Sequence, residues 1–136
     1  MTLQDQLLLL GDILGAMALG GVIGLERELA NRPAGFRTYM IVAGVSVLIV
    51  RIGEPLLEYY VAAGLTNAVE ADPFRTIGAV VTGIAFLGAG TIIQRESKMK
   101  VEGLTTAASL LFSGAIGIAS AVDLWWFAIG LTGLTV

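Results

Sequence analysis

Hydrophobic residues in this chain run in long blocks, and charges interrupt them mainly at their edges. A hydrocarbon core about 30 Å thick takes about 20 helical residues to cross, so each block can be measured against that length. Residues 76–94 (TIGAVVTGIAFLGAGTIIQ) and 103–122 (GLTTAASLLFSGAIGIASAV) hold no Asp, Glu, Lys or Arg, and each suits one helical crossing. Residues 6–25 are broken only by Asp12, and residues 38–53 only by Arg51, near enough to its end for the long side chain to reach the interface. Residues 124–136 (LWWFAIGLTGLTV) are charge-free but extend only about 20 Å as a helix. The segment 56–65 (LLEYYVAAGL) is too short to span and apolar enough to lie in the interface. The pattern predicts an all-α fold, a polytopic transmembrane helical bundle of about five helices, as a single domain over residues 1–136. Glu26, Arg27 and Glu28 follow the first block where a cleaved leader would carry small residues, so that block is expected to be retained. The abrupt end of the last block leads us to expect a truncated chain.

Composition removes most other readings. Hydrophobic residues make up 56% of the 136 and charged ones 14%, against about a quarter charged in a soluble domain. A globule this short could not bury so large an apolar share, which argues against a soluble enzyme. The absence of Cys and His removes disulfides, thiolate metal sites and the commonest general base. A net charge of −3 argues against a nucleic-acid partner. Gly88 and Gly90 begin a GxG with no third glycine, and no phosphate-loop lysine follows any glycine run, so we expect no enzyme and no cofactor.

Basic residues set the expected orientation. Arg27, Arg32 and Arg37 follow the first span and Arg95, Lys98 and Lys100 the third, which puts both loops on the cytoplasmic side, the N-terminus outside and the C-terminus inside. Asp5, Glu54, Glu58, Glu70, Asp72 and Asp123 then collect outside, either to draw cations or simply as solvated acids. Tyr39, Trp125 and Trp126 are expected at headgroup level.

Eighteen glycines would weaken helices in water, yet in lipid small residues let helices approach closely. Ala16, Gly20 and Gly24, then Ala79 and Gly83, then Ser113, Gly117 and Ala121 recur at four-residue spacing, so Gly20, Gly24, Gly83 and Gly117 are the expected packing positions. The alternative use of glycine is a broken helix at FLGAGT, where Gly88, Gly90 and Thr91 would line a site. Asp12, an acid inside a span, needs a partner or water. Either it pairs with Arg51 or Arg75, or it is a cation or proton site. Residues 12, 15, 19, 22 and 26 fall along one helical stripe, compatible with a polar path from Asp12 to Glu26.

The segments GGVIGLERE (20–28), RPAGFRT (32–38), DPFR (72–75), VVTGIAFLGAG (80–90) and GLTTAASL (103–110), in this order, resemble the MgtC/SapB family. Phe36, Leu111 and Asp12 depart from the family pattern. The resemblance implies a bacterial inner-membrane protein of about five helices, often followed by a cytoplasmic C-terminal domain that we expect to be missing from this chain, and a part in magnesium homeostasis, growth in low magnesium and virulence. It also singles out Glu26, Arg27, Arg37, Thr38, Asp72, Arg75, Gly88, Gly90, Thr105 and Thr106. Of these, Glu26 and Arg37 would form an ion pair or a gate. Asp72 before Pro73 has the form of a helix N-cap. Two roles follow: a Mg²⁺ transport module with Asp12 and Asp72 as candidate metal ligands, or a non-transporting regulator that binds another membrane complex such as the proton-driven ATP synthase. Lipid contact and a homo-oligomer, a dimer above all, are expected in either case.

Overall fold

The computed structural model describes residues 2–65, 72–93 and 103–136. Glu70, Arg95, Lys98, Lys100 and the Gln94 end of the third expected span lie outside them. The described residues form six α-helical segments: α1 (Leu3–Leu29), α2 (Phe36–Arg51), α3 (Gly53–Ala62), α4 (Pro73–Ile93), α5 (Leu104–Ala121) and α6 (Trp125–Thr135). Ile52 keeps helical dihedrals, so α2 passes into α3 without a loop. Among the described residues four runs are long and apolar enough to cross a membrane: Leu3–Leu29, Phe36–Ala62, Pro73–Ile92 and Leu104–Ala121. The 11 residues of α6 fall short of that length.

Local chemistry starts and stops these helices. Thr2 and Asp5 form a reciprocal capping box at the start of α1, with Thr2 N donating to Asp5 Oδ2 at 2.7 Å. Helices α1, α3 and α5 end alike, on a residue with positive φ: Asn31 (55°), Gly64 (74°) and Asp123 (61°). At each, two amides turn back onto the last-turn carbonyls; at α5, Asp123 N donates to Ser120 O and Leu124 N to Ala119 O. This is the Schellman arrangement, which satisfies carbonyls that lipid cannot.

The centre of the bundle is α5, with 56% of its span window buried against 17–28% for the other spans. Its inner face packs on α1 and α2, while α4 and α6 lie on its flanks. Close approach is achieved by removing side chains. A Cβ on Gly20 would stand 2.6 Å from the Tyr39 carbonyl oxygen, and one on Gly117 would press on the Ala43 carbonyl. Both obstacles are backbone and cannot swing away. Gly24 sits as closely against Phe36 of α2. In the space so gained Ser113 Oγ donates to the Tyr39 carbonyl at 2.8 Å, joining α5 to α2.

Two expectations change here. Helix α4 runs unbroken through Gly88 and Gly90, and Thr91 Oγ1 donates to the Gly88 carbonyl at 2.7 Å within that helix, so FLGAGT is not a break. Gly83 lies on the exposed side of α4 with nothing within 4 Å of a Cβ, whereas Val80, Ile84 and Gly88 form the buried face. Both faces carry four-residue spacing, and only the position of α5 chooses between them.

Gly117→Ala is expected to destabilise the bundle by about 1–3 kcal/mol through overpacking, while Gly83→Ala should leave it unchanged. Denaturant unfolding in detergent, followed by tryptophan fluorescence, compares the two.

Candidate functional site

Charged and polar side chains gather at the two ends of the bundle. At the Asp12 end, Arg51 closes α2 with its guanidinium turned to α1. Its Nη2 donates to Asp12 Oδ2 at 2.6 Å and to Asp123 Oδ1 at 3.3 Å. The positive φ of Asp123 in the α5 terminus brings that carboxylate into range. One guanidinium thus ties α1, α2 and the α5–α6 turn together. The Asp12 side chain is only 17% exposed, so its charge is held by this pair and not by solvent. Arg75, the other expected partner, is exposed at the start of α4. An open cleft of about 360 Å³ lies beside the node, lined by Asp5, Glu54 and Glu58 as well as Arg51. Among the described residues no group of three acidic side chains is placed to hold a metal ion.

Asp72 lies apart from this cleft. Its Oδ1 accepts from Phe74 N at 2.9 Å and Arg75 N at 3.3 Å, which makes it the N-cap of α4 with Pro73 in the first turn.

At the other end, Arg27 Nε lies 2.9 Å from Glu26 Oε2 as an ion pair that lacks hydrogen-bond alignment. Glu26 therefore pairs with its chain neighbour, while Arg37 and Thr38 are exposed. The acid that organises the turn is Glu28, whose Oε2 accepts the Phe36 amide at 2.9 Å and so caps α2. Gly35 makes room for it, since a Cβ there would meet that oxygen at 2.7 Å.

Tyr39 is fully enclosed within the bundle, and its hydroxyl meets Ser109 Oγ at 2.7 Å. Thr106 is buried beside this pair in α5, whereas Thr105 is exposed. Gly88 packs on Ala107, with a built Cβ 3.0 Å from that residue's own, and Gly90 faces open space. The stripe from Asp12 to Glu26 holds no polar path: the Trp125 ring covers Gly15, Leu19 packs on the core and Val22 is exposed.

Sequence reasoning missed Glu28, Asp123, Ser109 and the inward turn of Tyr39. The spacing of Glu28 before Pro33 and Gly35 was a usable local signal for Glu28. Ser109 and Tyr39, 70 positions apart, carried none.

The family model described as the MgtC family matches residues 13–136. The chain belongs to the MgtC family. An uncharacterized protein of Haemophilus influenzae is 40% identical over 116 residues, 85% of this chain and 48% of that relative. Protein SrpB of Synechococcus elongatus is 40% identical over 137 residues, 90% of this chain and 71% of SrpB. Protein MgtC of Salmonella typhimurium is 40% identical over 108 residues, 79% of this chain and 40% of that protein. This MgtC-family chain thus spans about half the length of the Haemophilus relative and less of the Salmonella one. No solved structure matches it.

The Arg51 node gives a measurable expectation. Asp12→Ala and Arg51→Gln should each cost about 1–3 kcal/mol, between the values for exposed and buried pairs. The double variant should lose less than the sum of the two, as read from a double-mutant cycle of unfolding free energies in detergent.

Proposed function

We propose that this chain works in magnesium homeostasis as a non-transporting interaction module of the bacterial inner membrane, acting on another membrane complex through its helix faces. The observation that carries this reading is the 2.6 Å contact between Arg51 and Asp12. Asp12 is the one acid well inside an expected span, and its charge is engaged in holding three elements together. An acid so engaged is a poor stepping stone for a hydrated divalent ion, because Mg²⁺ keeps several waters and needs oxygen ligands free to meet it. Arg37, Thr38, Arg75 and the outward side of α4 are available to a partner or to a second copy of the chain.

Transport is the second reading, favoured by the cleft beside Asp5, Glu54 and Glu58. Carboxylates around a cleft raise local cation concentration. On that reading Mg²⁺ enters as substrate at the acidic end and Asp12 exchanges Arg51 for the ion.

Sealed liposomes with a trapped magnesium dye separate the two. We expect no Mg²⁺ influx above protein-free vesicles from folded wild-type protein; influx that falls in Asp12→Asn would establish transport instead.

The same proposal sets the orientation, with the acidic end outside and Arg27, Arg32 and Arg37 in the cytoplasm. Because the chain has no cysteine, single replacements report it cleanly. In intact spheroplasts a membrane-impermeant maleimide should label Glu58→Cys and spare Asn31→Cys; the reverse pattern would invert the topology.

A further inference from the structure

Among the described residues four buried side-chain atoms have no hydrogen-bond partner, and three of them, Glu26 Oε2, Arg27 Nε and Thr106 Oγ1, belong to the end of the bundle away from Arg51. Two observations bring these groups together. A Cβ at Gly20 of α1 would lie 3.1 Å from Ser113 Oγ of α5, and the two helices run in opposite directions, since Asp12 and Asp123 share one end. Moving two turns along each from that contact brings Arg27 level with Thr106 on the facing sides. Independently, Tyr39 meets Ser109 Oγ at 2.7 Å and is also within electrostatic range of Arg27 and Glu26. The phenol of α2 thus shares this end of the bundle with the charged pair of α1 and the hydroxyls of α5.

Proton accounting shows what is still open there. Ser109 has one hydroxyl hydrogen, directed to the carbonyls of Thr105 at 2.7 Å and Thr106 at 3.2 Å. Tyr39 is then the donor to Ser109, and its own oxygen keeps lone pairs for another donor. The cluster thus presents an N–H donor on Arg27, a hydroxyl on Thr106 that can donate or accept, and acceptors on Tyr39 and Glu26. Buried groups of this kind are costly when unpaired, and a water with two to four polar neighbours is their usual partner.

We infer that α1, α2 and α5 enclose an internal water site at this end, where one water accepts from Arg27 Nε and bridges Thr106 Oγ1 to the Tyr39 oxygen. The water completes the hydrogen bonding of Arg27, whose side chain is mostly enclosed while Glu26 reaches toward solvent. The site does not depend on whether the chain carries ions.

Radiolytic hydroxyl-radical labelling of the whole chain in nanodiscs, read by mass spectrometry, tests this directly. Radicals form from waters in place, so an enclosed residue beside a bound water is oxidised and one in a dry core is not. Tyr39 is 0% exposed and Tyr59 68%. Normalised for intrinsic reactivity, Tyr39 should be labelled at a rate approaching that of Tyr59, while the equally enclosed Ile23 and Ile116 stay unlabelled. Thr106→Val should cut Tyr39 labelling severalfold and lower the thermal midpoint. Wild-type Tyr39 as inert as Ile23 would overturn the assignment, whether or not the valine variant folds. A valine variant with a raised midpoint would overturn it too, since removing an orphaned hydroxyl stabilises.

Discussion

The backbone approach of α1, α2 and α5 at Gly20 and Gly117 is the constraint on which the rest of this bundle depends. Lipid tails are as apolar as leucine, so helices in a membrane gain little from hydrophobic burial and associate through dispersion and interhelical hydrogen bonds. Both fall away within a fraction of an ångström. With glycine facing the Tyr39 and Ala43 carbonyls, Ser113 can reach the α2 backbone and Tyr39 can reach Ser109. Five hydroxyl residues of α5 and α2, Ser46, Thr106, Ser109, Ser113 and Ser120, are buried at this seam. Ser46 and Ser120 each donate to a carbonyl of their own helix, which hides the polarity without breaking the helix.

Charge is then placed only where the seam ends. The Arg51 node and the Glu26–Arg27 pair sit at opposite ends, and the face of α1 between them is closed by Trp125 and Leu19. The node also shows how a local backbone motif feeds tertiary structure. A Schellman terminus puts Asp123 in the left-handed region that its short polar side chain tolerates. That geometry supplies the second carboxylate for Arg51. Charges used in this way fasten helices to one another.

Helix α4 is held mainly by α5, with a smaller contact to α2. Val80, Ile84 and Gly88 meet α5, whereas Ala79, Gly83, Phe86 and Gly90 face outward. An apolar groove of about 330 Å³ runs between α2 and α4, with Ser46 and Gly83 among its lining residues. In a bilayer such a surface is covered by lipid or by another helix.

The sequence by itself determined the helices and the ends of most of them. Uncharged blocks of about 20 residues have one backbone solution in lipid, because every amide must be bonded within its own segment. The Asp72–Pro73 cap was legible for the same reason, since its donors lie two and three residues away. The expectation of a paired Asp12 was legible as well, from the cost of an unpaired acid in hydrocarbon. Tertiary structure decided which arginine answers it, choosing Arg51 over Arg75, and which small-residue face of α4 is buried. It also enclosed Tyr39 within the bundle. For the arginine and the α4 face the sequence offered two chemically equivalent candidates, and the choice rests on how the helices sit against one another, a relation between segments that no local spacing encodes.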